Sequence, residues 1–305
     1  MPVPVTPGSY RRQLKGNRTF RKLSLRLLAL LMLIAAFMFV RFPGTAKGYL
    51  YIMFREVVKL SIMVKTSGWE TLESDNILVR YRPGEEQNAK LVLETAEHFQ
   101  EQVMDEYHLK LNKKLPVILY STREELNASF GWPANESAMG VYWGGTIRVL
   151  SPEEWITYDN YQEKQTVFQS SGPVVHEIMH LVIDYRTKGN YPRWFTEGLA
   201  QYEEYRLTGF RFNDPAGDLR QKLYPLEKMD RDFDSLPNQS LAYRQSLSAV
   251  EYIIEVYGKE KLHTIINDLS RGRSFSDSLQ RNLGSGLKEF ERDWHDWLFQ
   301  NITEQ

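Results

Sequence analysis

His176, Glu177 and His180 stand in the order His-Glu-x-x-His inside the apolar run VVHEIMHLVID, residues 174–184. Four residues advance a helix by about 400°, so both imidazoles leave the same face and can grip one ion. Glu177 is turned about 100° from His176, which lets it touch a water on that ion rather than the ion itself, as a general base must. The chemistry open to such a set is metal-assisted hydrolysis. Taken alone, the pair also describes two core histidines bonded to backbone, so the rest of the chain has to decide.

A catalytic zinc needs a third protein ligand and an open position for water. The chain has no cysteine, so that ligand must be a histidine or a carboxylate. A metzincin would carry histidine and glycine where this sequence has Arg186 and Ile183, and that class is excluded. Lys188-Gly189-Asn190 reads as a helix stop, and Pro192 suits the start of a second helix in YPRWFTEGLAQYEEY, residues 191–205. A short loop can fold that helix back on the first, where Glu197 would complete a two-histidine, one-glutamate site.

VVHEIMHLVID together with PRWFTEGLAQYEE resembles the gluzincin zinc peptidases, most closely the peptidase MA-like branch, in which a proline and a tryptophan precede an E-G-L-A box carrying the third ligand. The resemblance implies Zn²⁺ on His176, His180 and Glu197, with Glu177 as catalytic base. It is similar to thermolysin in placing Asp184 four residues after the second histidine. It departs where a second aspartate should follow the glutamate ligand by four, since Gln201 stands there, and Gln201 or Glu204 would have to orient a ligand histidine instead. By the same resemblance a tyrosine or histidine from the helical region downstream supports the oxyanion; Tyr243 is the first candidate and His263 the second. Residues 140–150, GVYWGGTIRVL, would be the sheet edge that pairs with an extended peptide, or else an ordinary core strand with a bulge at Gly144-Gly145.

The elements that must position these groups are legible in outline. Strands over 77–81 and 114–120, a turn at Pro83-Gly84, a long amphipathic helix over 85–109 and a helix from about Arg123 capped by Ser121 precede the strand 140–150; everything after about 164 reads as helix. Strands first and helices later give an α+β fold. The resemblance makes it zincin-like: a catalytic domain over 69–205 with a small sheet and active-site helix, then a C-terminal helical lobe over 206–305.

The net charge of −1 conceals a basic head and an acidic body, because residues 1–55 hold ten Lys or Arg and no Asp or Glu. Behind the basic residues 1–22 comes an apolar run over 23–42, long enough to span a bilayer if Arg26 and Arg41 snorkel. The positive-inside rule then keeps the N-terminus cytoplasmic and the body outside, a single-pass cell-membrane protein with a transmembrane helix touching lipid. A cleaved signal peptide is the rival reading, with Gly44-Thr45-Ala46 as a cleavage site; the long basic region favours the uncleaved anchor. Residues 48–65, within a juxtamembrane stretch of 43–68, repeat apolar side chains at helical spacing and suit a helix on the membrane, a helix against the body, or a stalk.

An acidic body without a recognition motif excludes nucleic acid as a partner. The expectation is a membrane-anchored, extracytoplasmic zinc peptidase acting on peptides or proteins. The alternative is a non-catalytic gluzincin-like binding or scaffold module with a structural metal. Glu177 separates the two, since only hydrolysis needs it.

Overall fold

The computed structural model describes residues 43–302 except 135 and 159. The expected basic head and transmembrane segment, residues 1–42, lie outside the described residues. Among the described residues no helix is long and apolar enough to cross a membrane. The chain divides into residues 1–47, described only for the helical residues 43–47, and a compact unit over 48–305.

Five strands form one mixed sheet in the order β1-β2-β3-β5-β4. They are β1 (Glu70–Glu73), β2 (Ile77–Tyr81), β3 (Leu115–Tyr120), β4 (Gly140–Trp143) and β5 (Thr146–Leu150). β2, β3 and β5 run parallel, while β1 and β4 close the two sides antiparallel. Side chains alternate across the central strands as the pleat requires. Val117, Leu119, Ile147 and Val149 enter the main core, and Ile118, Tyr120 and Leu150 a smaller one on the other face.

Helices cover both faces. α1 (Pro43–Lys65) and α3 (Arg123–Phe130) supply Ile62 and Leu126 to the smaller core. α2 (Glu86–Glu106), α4 (Tyr161–Ser171), α5 (Val174–Thr187) and α6 (Arg193–Thr208) pack into the larger one. α7 (Leu226–Asp232), α8 (Gln239–Tyr252), α9 (Lys259–Ser270), α10 (Phe275–Leu283) and α11 (Leu287–Ile302) follow. Buried Trp194 of α6 sets its ring against Phe275 of α10 and Phe290 of α11, and Trp294 of α11 donates to Ser248 of α8.

Three local expectations are corrected. Residues 140–150 are two strands rather than one bulged strand: Gly144 (φ 56°) and Gly145 (φ 81°) both take positive φ, the requirement of a two-residue hairpin turn whose twist matches that of its strands. The cap of α3 is Thr122, whose hydroxyl accepts from the Glu125 N–H, one residue later than expected. α1 is no stalk, because Arg55 and Ile62 are buried against the body.

Candidate metal centre

α5 is helical because Val174, Ile178, Leu181 and Val182 recur at helical spacing, and nearly every residue on it is buried. It stops at Lys188 (φ 59°), followed by Gly189 (φ 75°), both left-handed as at many helix ends. Pro192, extended at ψ 145°, then opens α6. This short connection returns the chain so that Glu197 of α6 faces His176 and His180 of α5. Gly198 sets the next layer: a Cβ there would lie 2.2 Å from the Ser246 carbonyl oxygen, so only glycine lets α8 approach so closely.

The Nε2 atoms of His176 and His180 stand 3.4 and 3.5 Å from the same oxygen, Oε2 of Glu197. A tetrahedral ion with bonds of about 2.0–2.1 Å requires ligand atoms about 3.3–3.4 Å apart. Glu197 Oε2 is buried and has no hydrogen-bond partner, although the glutamate is only 1 % exposed. An orphaned buried carboxylate oxygen between two imidazole nitrogens is costly unless a cation sits there. The residues therefore fit a metal ion.

Each ligand is held from behind. His176 Nδ1 lies 3.3 Å from Glu204 Oε2, and His180 Nδ1 lies 2.8 Å from Thr196 Oγ1. These contacts commit both Nδ1 atoms and leave the Nε2 atoms for the ion. Arg193, one turn before Glu197, donates to its Oε1 at 2.9 Å. Burial opposes ionisation of Glu197, but the charge of Arg193 and the two histidines hold it well below the usual carboxylate range. Burial likewise pushes His176 down, yet the carboxylates of Glu197 and Glu204 beside it hold it well above an ordinary imidazole.

Glu177 bonds to the sheet while staying within electrostatic range of both imidazoles and Glu197. Its Oε2 accepts the Tyr142 N–H of β4 at 2.5 Å, and burial raises its carboxyl above the ordinary value. Among the described residues β4 pairs with β5 alone, so its other edge carries no strand, and Glu177 takes the Tyr142 N–H there. The placement suits both a proton acceptor and an edge for an extended chain.

Of the other residues named from sequence, Tyr243 lies within electrostatic range of Glu197. The Glu197 carboxylate is the first cause that pushes its phenol up, with burial second, and its ring packs on Phe233. His263 does not: it lies against Glu106, Tyr107 and His108. Glu204 backs a ligand histidine, whereas Gln201 donates to the carbonyls of Glu197 and Tyr243.

Sequence reasoning missed what Asp184 does. It is fully buried and accepts from three side chains: Tyr51 Oη, Arg55 Nη1 at 2.9 Å and Tyr142 Oη at 2.7 Å. Burial and Asp184 together push the phenols of Tyr51 and Tyr142 up, so both remain donors. α1, α5 and β4 thus share one carboxylate, and the strand that shares it also holds Glu177.

Two facing helices that offer two histidines and a glutamate, beside the open edge of a mixed sheet, define a metallopeptidase-like domain. Comparison of the sequence with protein families agrees: residues 109–300 match the Peptidase MA superfamily. The match covers more than half of the 305 residues, and the chain belongs to that superfamily. It begins after α2, so α1 lies outside it. No curated protein matches the chain.

Proposed function

We propose that this chain is a membrane-anchored zinc metallopeptidase whose catalytic unit lies outside the cytoplasm. The observation that carries the hydrolytic part is Glu177, a buried carboxylate fixed by the Tyr142 N–H beside two convergent imidazoles. A metal held only for structure has no use for that group. His176, His180 and Glu197 would hold the ion, and a zinc ion there supplies a Lewis acid and a water activated near neutral pH.

The chain's own groups do the rest. Glu177 takes a proton from the attacking water and returns it to the leaving amine. The open edge of β4 offers backbone groups to an extended peptide and aligns it across the site. Tyr243, kept protonated by the nearby Glu197 carboxylate, donates to the developing oxyanion. Glu204 and Thr196 keep the ligand imidazoles oriented. The basic residues 11–22, followed by the apolar run 23–42, support the anchor and its orientation.

The test is cleavage of a peptide library by the zinc-loaded full chain and by Glu177→Gln. The wild type should cut and the variant should lose about 10²–10⁴-fold in rate while keeping its zinc. Equal cleavage by the two removes the proposed mechanism. No cleavage by either favours the scaffold reading.

A further inference from the structure

α1 has two unlike faces. The inward face is fastened: Arg55 pairs with Asp184 at 2.9 Å and stacks over Tyr185 at 3.6 Å, and Ile62 enters the smaller core. The outward face is apolar and bare. Leu50, Met53, Val57, Leu60 and Val64 are each 54–66 % exposed, and the exposed rings of Tyr49 and Phe54 lie beside them. At about 100° per residue these side chains share an arc of roughly 140°. Ser61 is the one polar residue within that arc; Lys65 stands at one border and Glu56, paired with Lys59 at 2.9 Å, at the other.

The stripe continues onto the sheet. The exposed Trp143 ring, at the end of β4, stands edge-on to Phe54 at 6.3 Å. Gly144, in the turn that follows, packs so tightly on Val58 that a Cβ would meet it at 2.3 Å. Trp143 is the residue after Tyr142, whose N–H holds Glu177. The catalytic carboxylate is therefore anchored one strand residue, about 3.4 Å of chain, from the edge of this apolar surface.

We propose that the outer face of α1, with Trp143, rests in the headgroup and acyl boundary of a lipid bilayer, so that the cleft bordered by β4 opens at the membrane surface. The inference rests on the anchored reading above and goes beyond it. Tyr49 follows Phe42, the end of the apolar run, by seven residues, which reach no further than about 25 Å even fully extended. Whatever path they take, the stripe stays within reach of the bilayer that holds residues 23–42. A stripe free of charge, bordered by Lys65 on one side and by the Glu56–Lys59 ion pair on the other, and carrying tyrosine, phenylalanine and tryptophan, has the composition of a surface that lies in such a boundary. A protein partner would need its own complementary apolar face; the bilayer is already supplied by the chain's own tether. Because Arg55 and Tyr51 fasten α1 to Asp184 on the zinc-motif helix, seating α1 also fixes how the catalytic unit faces the membrane.

The chain has no cysteine, which makes single-cysteine spin labelling direct. Full-length Met53→Cys, Leu60→Cys, Trp143→Cys, Val256→Cys and Leu30→Cys are labelled with a nitroxide. They are reconstituted into vesicles of phosphatidylethanolamine and phosphatidylglycerol, and relaxation by oxygen is compared with relaxation by a water-soluble nickel chelate. Val256 is exposed on the helical region and reports water; Leu30 reports the anchor. The oxygen-to-nickel ratio at Met53 and Leu60 should exceed that at Val256 several-fold, with Trp143 between them. Ratios equal to that of Val256 place the stripe in water, and low collision with both reagents shows it covered by protein, a second copy or a partner; either result overturns the inference. If Leu30 still reports the bilayer in those cases, the anchored reading stands without it; if Leu30 reports water, both fall.

Discussion

Replacing Arg55 with methionine removes the one cation from a fully buried carboxylate. Arg55 and Asp184 are 7 % and 0 % exposed at the side chain and meet at 2.9 Å. The variant leaves Asp184 with two phenol donors and no countercharge, and fills the space with an apolar chain of similar reach. Deleting one member of a buried pair costs about 3–5 kcal/mol, because the remaining charge keeps its desolvation penalty. A unit of this size loses roughly 2–4 °C of melting temperature per kcal/mol. Arg55→Met should therefore melt roughly 6–20 °C below the wild type in a circular-dichroism melt of the detergent-solubilised chain. Asp184→Asn should also destabilise, since it strands the guanidinium. The double variant Arg55→Met/Asp184→Asn leaves no unpaired charge at this position, so it should lie above the sum of the single effects by about 1–3 kcal/mol. A melt of Arg55→Met within about 1 °C of the wild type, or strict additivity in the double variant, would refute the reasoning.

Other consequences follow from the same geometry. A chain that starts at residue 66 lacks Tyr51 and Arg55 and should melt well below one that starts at Gly48, because Asp184 then has Tyr142 as its single remaining side-chain donor; equal melts would show that α1 adds nothing to the fold. Glu204→Gln and Thr196→Val should each weaken zinc affinity about 10–100-fold in a competition titration, since each loosens the far side of a ligand imidazole; unchanged affinity would mean that the imidazoles are oriented by packing alone. His176 in the metal-free protein sits well above its ordinary value. A raised imidazole contributes stability that is fully present below about pH 6.5, its unfolded value, and is lost as pH climbs through the folded value. The metal-free protein should therefore lose melting temperature as pH rises from about 6.5, whereas excess zinc, which needs the neutral imidazole, should stabilise more as pH rises. A pH-independent melt without metal would contradict that placement of His176.

What could be read from the chain and what could not divide along sequence distance. His176, Glu177 and His180 lie within one helical turn and a half, where spacing alone fixes direction. Glu197 was reachable because a stop signal and a proline mark the intervening turn. Asp184 stands out in the sequence by its spacing after His180, but its role does not, because its partners Tyr51, Arg55 and Tyr142 stand 133, 129 and 42 residues away, and no local pattern announces a contact of that range. Thr196 gave no signal beyond being next to Glu197. β1 went unnoticed since Glu70–Glu73 reads ETLE and stays largely exposed, with none of the alternation that marks a strand. The Gly144-Gly145 pair was visible, but a bulge and a tight hairpin turn both call for glycine, and the pairing of Trp143 with Thr146 decides for the turn.

The most direct test of the metal centre is diffraction from zinc-soaked crystals at wavelengths on either side of the zinc absorption edge. One anomalous peak should lie about 2.0–2.2 Å from His176 Nε2, His180 Nε2 and Glu197 Oε2, with a fourth position left to water. In Glu177→Gln the same peak should persist; in Glu197→Ala it should vanish. No peak in the wild type, or a peak on other side chains with Glu197 turned away, would contradict the assignment of this site as the zinc centre of a peptidase.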